Sequence, residues 1–166
     1  MNILDENIIA SQRQLLRSWR IRVRQIGYDM AQKGISDDQI IPFLLQRRRP
    51  TFFTRDLGFF ERHLCHRRYC LVGLAIEKQE VATFIRRVLN HGGLDTQAKR
   101  MGTVIRVSHQ GLRIWRQMQM KSNHLTGSRF ISGNGLVETP PFGLVSEDGQ
   151  DGRRVNDHQL GNPCSS

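Results

Sequence analysis

The stretch Tyr69-Cys70-Leu71-Val72-Gly73-Leu74-Ala75-Ile76 decides the fold class. It is apolar almost without interruption, as a strand covered on both faces of a parallel sheet must be. Reading downstream, helical spacing over 79–89 puts Val81, Phe84, Ile85, Val88 and Leu89 inward, and a weaker helix follows near 95–99. A closing hairpin comes next. Its first strand is Gly102-Thr103-Val104-Ile105-Arg106-Val107, its turn lies near Gln110-Gly111, and its second strand runs from Leu112 to Trp115. Upstream, Thr51-Phe52-Phe53-Thr54 reads as a strand by β-propensity and ends on Arg55-Asp56, with a short helix expected over 57–64.

Further towards the N-terminus, Asn2-Ile3-Leu4 is a minimal apolar strand ending on Asp5. From 8 to 26 the pattern is helical, with Ile8, Leu15, Leu16, Trp19, Val23 and Ile26 on one face and Gly27 as the stop. Arg13, Arg17, Arg20 and Arg24 fall together on a neighbouring face. Tyr28-Asp29-Met30 is expected as a short strand. Ser36-Asp37-Asp38-Gln39 has the capping-box pattern and predicts a second helix, closed by Arg47-Arg48-Arg49 and Pro50. Pro42 is tolerable there if the helix begins one turn late. Strands alternating with helices imply a mainly parallel sheet with helices on both faces, an α/β fold of three layers with a C-terminal hairpin.

The chain has 166 residues, room for one domain of ordinary size, and a formal net charge of +10. Residues 1–121 carry 22 Lys+Arg against 10 Asp+Glu, a net of +12; residues 122–166 carry 3 against 5, a net of −2. The last 45 residues also hold 7 of the 15 Gly and 3 of the 5 Pro, with no sustained period. The expected organisation is therefore a basic domain over 1–117 and a mostly disordered tail over 118–166. No apolar run is long enough for a transmembrane helix, and Met1-Asn2-Ile3-Leu4-Asp5-Glu6-Asn7 carries acids where a signal peptide needs a basic start. Three cysteines do not make a secreted disulfide framework. These points predict a cytoplasmic protein without a membrane partner, and the charge points to a polyanion.

Acids are scarce in the basic domain, yet they fall where an open α/β sheet gathers chemistry, at the carboxyl ends of strands. Asp5 closes the first strand and Asp56 the third, while Asp37 and Asp38 open a helix, where the dipole favours an anion. Converging carboxylates repel unless they share a cation, and all-oxygen ligands suit Mg²⁺ or Mn²⁺. Such an ion activates water for attack on a phosphodiester. Read without an ion, Asp5 and Asp56 are ordinary loop acids and Asp37 and Asp38 only help a helix start.

Four blocks carry a resemblance. Leu4-Asp5-Glu6-Asn7-Ile8, Ile26-Gly27-Tyr28-Asp29-Met30, Ser36-Asp37-Asp38-Gln39-Ile40 and Phe52-Phe53-Thr54-Arg55-Asp56 followed by Phe59 together resemble a compact, toxin-type PIN-like domain. The match is specific over residues 1–60 and extends to the hairpin near 116; the tail lies outside it. PIN domains are mostly metal-dependent ribonucleases, many of them toxins neutralised by a small antitoxin. The resemblance thus implies RNA as substrate and an antitoxin as a protein partner; a homodimer is the other partner state left open. It implies Asp5, Asp37 and Asp56 as catalytic metal ligands for Mg²⁺ or Mn²⁺, with Glu6 and Asp38 as lesser ones and Thr54 orienting the site. One position departs. Where the family reads T-x-D-x-D-F, this chain has Thr54-Arg55-Asp56-Leu57-Gly58-Phe59, without the second acid. The alternative is therefore a catalytically impaired PIN-like module that binds RNA or a partner protein.

Arg13, Arg17, Arg20, Arg24 and Arg55 are the expected RNA-binding residues, assisted by Arg47-Arg48-Arg49 and Arg67-Arg68. An acidic antitoxin would satisfy the same stripe, and a solvated helix face is the plain reading of it. His63, Cys65, His66 and Cys70 match no standard zinc spacing, and Cys70 reads as a small buried residue. His109 reads as a polar turn residue, and Phe52 and Phe53 as core residues rather than base-stacking platforms. The sequence contains no Gly-rich phosphate loop, nucleophile elbow or dinucleotide fingerprint.

Overall fold

A parallel sheet needs apolar cover on both faces, and the computed structural model shows how the chain supplies it. Described are residues 1–30, 33–117 and 137–139. In chain order the elements are β1 (Asn2–Leu4), α1 (Ala10–Ser18), β2 (Val23–Gln25), α2 (Asp37–Leu45), β3 (Thr51–Thr54), two single 3₁₀ turns (Leu57–Phe59 and Arg62–Leu64), β4 (Cys70–Leu74), α3 (Val81–Asn90), α4 (Gln97–Arg100), β5 (Thr103–Ser108), β6 (Gly111–Arg116) and β7 (Val137–Thr139). They form one sheet in the order β2-β1-β3-β4-β5-β6-β7, parallel from β2 to β5 and antiparallel beyond. The class is α/β, with a mainly parallel sheet between helices.

Alternation along the strands divides the core into two. Leu4, Phe53, Val72 and Ile105 point to one face and pack with Leu16 of α1 and with Val81, Phe84, Ile85 and Val88 of α3. Their neighbours Ile3, Phe52, Leu71 and Val104 point to the other face and pack with Ile40, Phe43 and Leu44 of α2. Phe52 and Phe53 are core residues, essentially without solvent exposure. Each such side chain contributes roughly 1.5–3 kcal/mol of apolar burial, so the two-sided cover dominates the stability of the sheet. The β1–β2 and β4–β5 crossovers run in opposite directions across the sheet yet place α1 and α3 on the same face. They therefore have opposite hands, and one of them is the rare left-handed form.

Three expectations are corrected. The single helix over 8–26 is a shorter α1 followed by an edge strand. Arg20 breaks the helix in the left-handed region (φ 61°), and Val23–Gln25 then alternates buried, exposed, buried beside β1. Spacings of seven and three residues put Val23 and Ile26 on a helical stripe, but the same residues also serve a strand and the bridge that follows it. Tyr28-Asp29-Met30 is accordingly a turn around Gly27 (φ 79°), touching back only at the Ile26–Met30 bridge. The helix expected over 57–64 is two separate 3₁₀ turns.

Helix α2 starts where expected, at Asp37, and not one turn later, so Pro42 lies inside it. Its start uses backbone rather than a capping box: the Gln39 N–H donates to the Ser36 carbonyl (2.9 Å), and the Ser36 side chain caps nothing. Beyond the hairpin, β7 adds a third antiparallel strand to the sheet, from within the segment read as tail. The remaining tail residues, and the disorder expected of them, lie outside the described ones. Among the described residues no helix is long and apolar enough to cross a membrane.

Candidate functional site

Strand order locates the crevice. From β1 the chain moves outward to β2, then returns to place β3 on the other side of β1, so the direction of winding reverses between β1 and β3. In open α/β sheets, ligands bind outside the carboxyl ends of the strands at that switch point. Asp5 directly follows β1, and Asp56 lies two residues beyond β3.

These two acids are linked through Thr54. The Thr54 hydroxyl donates to Asp5 Oδ2 at 2.6 Å and accepts the backbone N–H of Asp56 at 2.9 Å. Below them the Asp5 N–H donates to the Phe53 carbonyl (2.9 Å), continuing the β1–β3 ladder. Asp5 is buried, 8 % exposed. Burial pushes its carboxyl above the ordinary carboxylate range, against the opposing pull of the Thr54 hydroxyl and the backbone amides of Glu6 and Asn7. Asp56 is exposed, and its Oδ1 accepts the Gly58 N–H at 2.8 Å, capping the first 3₁₀ turn.

The loop after β1 is held by a residue that the sequence pattern places in the last turn of a helix. Gln25, fully buried at the end of β2, donates through Nε2 to the carbonyls of Asp5 (3.0 Å), Glu6 (3.2 Å) and Ile8 (2.7 Å). Glu6 turns its own carboxylate to the Gly34 N–H (2.7 Å), tying this loop to the segment that leads into α2.

The expected ligand set is assembled only in part. Thr54 links the Asp5 carboxylate to the backbone of Asp56, while Asp37 and Asp38 stay exposed on the first turn of α2. Among the described residues, no three His, Cys, Asp or Glu side chains gather closely enough to hold a metal ion. What remains is an all-oxygen set of two carboxylates. That suits Mg²⁺ or Mn²⁺ bound with water and substrate phosphate, because Mg²⁺ usually takes only one or two protein carboxylates. It does not make an all-protein cage. At Gly58, a Cβ would meet Asp56 Oδ1 at 3.1 Å, so an acid at that position requires the Asp56 carboxylate to shift from its cap.

The four arginines do not share one helix face. Arg13 and Arg17 are on α1, Arg20 is in the left-handed break and Arg24 is exposed on β2. Arg17 pairs with Asp29 (3.0 Å), whose carboxylate also accepts the Gln25 N–H (2.9 Å). The Arg13 guanidinium lies 4.4 Å from the centroid of the Tyr28 ring and the Lys33 ammonium 4.8 Å from it. Tyr28 is 55 % exposed, so this is a surface cation–π cluster of two cations over one ring, on the loop after β2. The sequence reading missed it, because an isolated Tyr in a turn gives no periodic signal. Arg55 is exposed beside Asp56.

Of the cysteine–histidine group, Cys70 and His66 pack into the structure, while His63 is exposed. Burial pushes the Cys70 thiol up to about 12 while the Thr103 hydroxyl contacts its sulfur (3.3 Å), and His66 stacks on Tyr69. His109 Nε2 lies 3.0 Å from Glu80 Oε2, and its ring meets Phe84 edge-on. No family model matches the chain, and neither a curated protein nor a solved structure does.

Proposed function

We propose that this chain is a PIN-like, divalent-metal-dependent ribonuclease that hydrolyses RNA phosphodiester bonds at the crevice between β1 and β3. One observation carries the reading: the Thr54 hydroxyl bonds both the Asp5 carboxylate and the backbone N–H of Asp56, at the point where the sheet reverses its winding. Asp5 and Asp56 would hold Mg²⁺ or Mn²⁺. When bound, such an ion lowers the pKa of a coordinated water and neutralises charge at the phosphodiester. Thr54 fixes the rotamer of Asp5, and Gln25 fixes the loop that presents it. Arg13 and Lys33, gathered over the exposed Tyr28 ring, would offset phosphate charge. The protein partner this reading implies is a small antitoxin, with the protein itself as the toxin.

The test is cleavage of single-stranded RNA by the purified protein with Mn²⁺, alongside Asp5→Asn and an EDTA control. Cleavage that needs Mn²⁺ and disappears in Asp5→Asn supports the reading. Cleavage unchanged by Asp5→Asn or EDTA rejects it. A second reading, a PIN-like module that binds RNA without cutting it, is favoured by Gly58, whose N–H occupies one Asp56 oxygen where the family has an acid. Cleavage appearing only in Gly58→Asp selects that reading.

A further inference from the structure

The end of the sheet opposite the acids is basic. The runs Arg47-Arg48-Arg49 and Arg67-Arg68 are distant in sequence, but one directly precedes Pro50 and β3 and the other Tyr69 and β4. These strands are parallel neighbours, with Thr51 opposite Cys70. Their amino ends therefore lie side by side, and the two runs meet in one pocket of about 460 Å³ lined by Gln46, Arg47, Arg48, Arg49, Arg67 and Arg68.

Two of the five guanidinium groups have structural work. Arg47 donates to the Phe43 carbonyl (3.1 Å) and lies 3.7 Å over the Phe43 ring, and Arg68 donates to the Leu45 carbonyl. Both satisfy carbonyls that the C-terminal end of α2 leaves open. Arg48, Arg49 and Arg67 have no such role. All three are exposed, and among the described residues no acid pairs with any of them. Arg49 is also held in the left-handed region (φ 50°), with the N-terminal ammonium donating to its carbonyl (3.3 Å). A non-glycine residue in that region costs stability, and such residues concentrate at ligand clamps.

Five like charges around one pocket repel each other, and an anion bound among them relieves that repulsion. Guanidinium groups match phosphate oxygens in pairs, and the volume lies in the range of small-ligand pockets. We propose that this pocket is a second ligand site, distinct from the acid pair, that binds a ligand carrying adjacent phosphate groups. The full four-residue length of β3, roughly 10 Å, separates its mouth from Thr54. The proposal does not depend on whether the acid end cuts RNA. Adjacent phosphates have two sources, the backbone of a single-stranded RNA and a free polyphosphate.

The experiment uses the full chain with two probes: a fluorescent oligouridine of roughly 12 nucleotides, followed by anisotropy, and inorganic tripolyphosphate, followed by calorimetry. Metal is left out, so that cleavage cannot affect either readout. The double variant Arg48→Ala/Arg67→Ala is compared with Arg22→Ala/Lys78→Ala, which removes the same charge from exposed positions elsewhere. The expected result is a loss of at least about tenfold in affinity in the pocket variant and under about threefold in the control. If only the oligouridine depends on the pocket arginines, the ligand is RNA backbone; if only tripolyphosphate does, it is a free polyphosphate. Equal losses in both double variants, no loss in the pocket variant, or no binding of either probe by the wild-type chain overturns the proposal.

Discussion

The two ends of the parallel strands are chemically opposite. At the carboxyl ends, a threonine hydroxyl bonds the buried Asp5 carboxylate and the backbone N–H of the exposed Asp56, and the donors to the Asp5 carboxylate, Thr54 and the amides of Glu6 and Asn7, are neutral. At the amino ends of β3 and β4, five arginines line one pocket with no carboxylate among its described lining residues. The net charge of the chain averages over this division and hides it. Asp5 is desolvated and held by hydrogen bonds, whereas Arg48, Arg49 and Arg67 are exposed and, among the described residues, paired with no acid. Burial sets Asp5, though not Asp56, apart from the basic end.

The largest way to break the comparison is at Asp5. Asp5→Asn keeps the shape and removes the charge, and cleavage is expected to fall by more than the roughly 10- to 100-fold that losing a supporting partner of a metal ligand costs. Thr54→Val is that supporting loss: cleavage drops within that range. It also leaves the Asp56 N–H and Asp5 Oδ2 short of a partner, at a cost of about 1–3 kcal/mol. Thermal denaturation reads this as a lowered midpoint, with Thr54→Ser restoring it.

Asp5 also sets a pH dependence. Its folded pKa lies above the ordinary 3.8, so between those two values the native state binds more protons than the unfolded chain. That acid's contribution to stability is then greatest below 3.8 and falls as pH rises through the folded value. Urea midpoints of Asp5→Asn are therefore expected to exceed those of the wild type by an amount that grows from pH 4 to pH 7. A gap that shrinks over that range contradicts the assignment of Asp5 as a desolvated acid. The smallest effect is at the exposed pair: Arg17→Ala removes the bond to Asp29 and costs about 0.2–1 kcal/mol, less at high salt.

Much of this division was legible in the residues. Thr51-Phe52-Phe53-Thr54 is a strand with the expected bounds, α2 begins at Asp37, and the hairpin turns where Gln110-Gly111 indicates. Asp5 and Asp56 are adjacent because strand ends are places that a pattern of elements fixes. Three things were beyond it. The α1–β2 break escapes periodicity because Val23 and Ile26 satisfy helix and strand at once. A helix-opening acid such as Asp37 can be placed on its element but not aimed at another. Gln25 and Tyr28 work through tertiary neighbours only, as do the two arginine runs, whose meeting depends on β3 and β4 being adjacent.

The most direct test of the division is single-turnover cleavage of single-stranded RNA in Mn²⁺, with protein in excess, for wild type and for Asp5→Asn confirmed as folded by circular dichroism. A rate that collapses in Asp5→Asn while the RNA remains bound is the expected result. A rate that stays at the wild-type level contradicts the account.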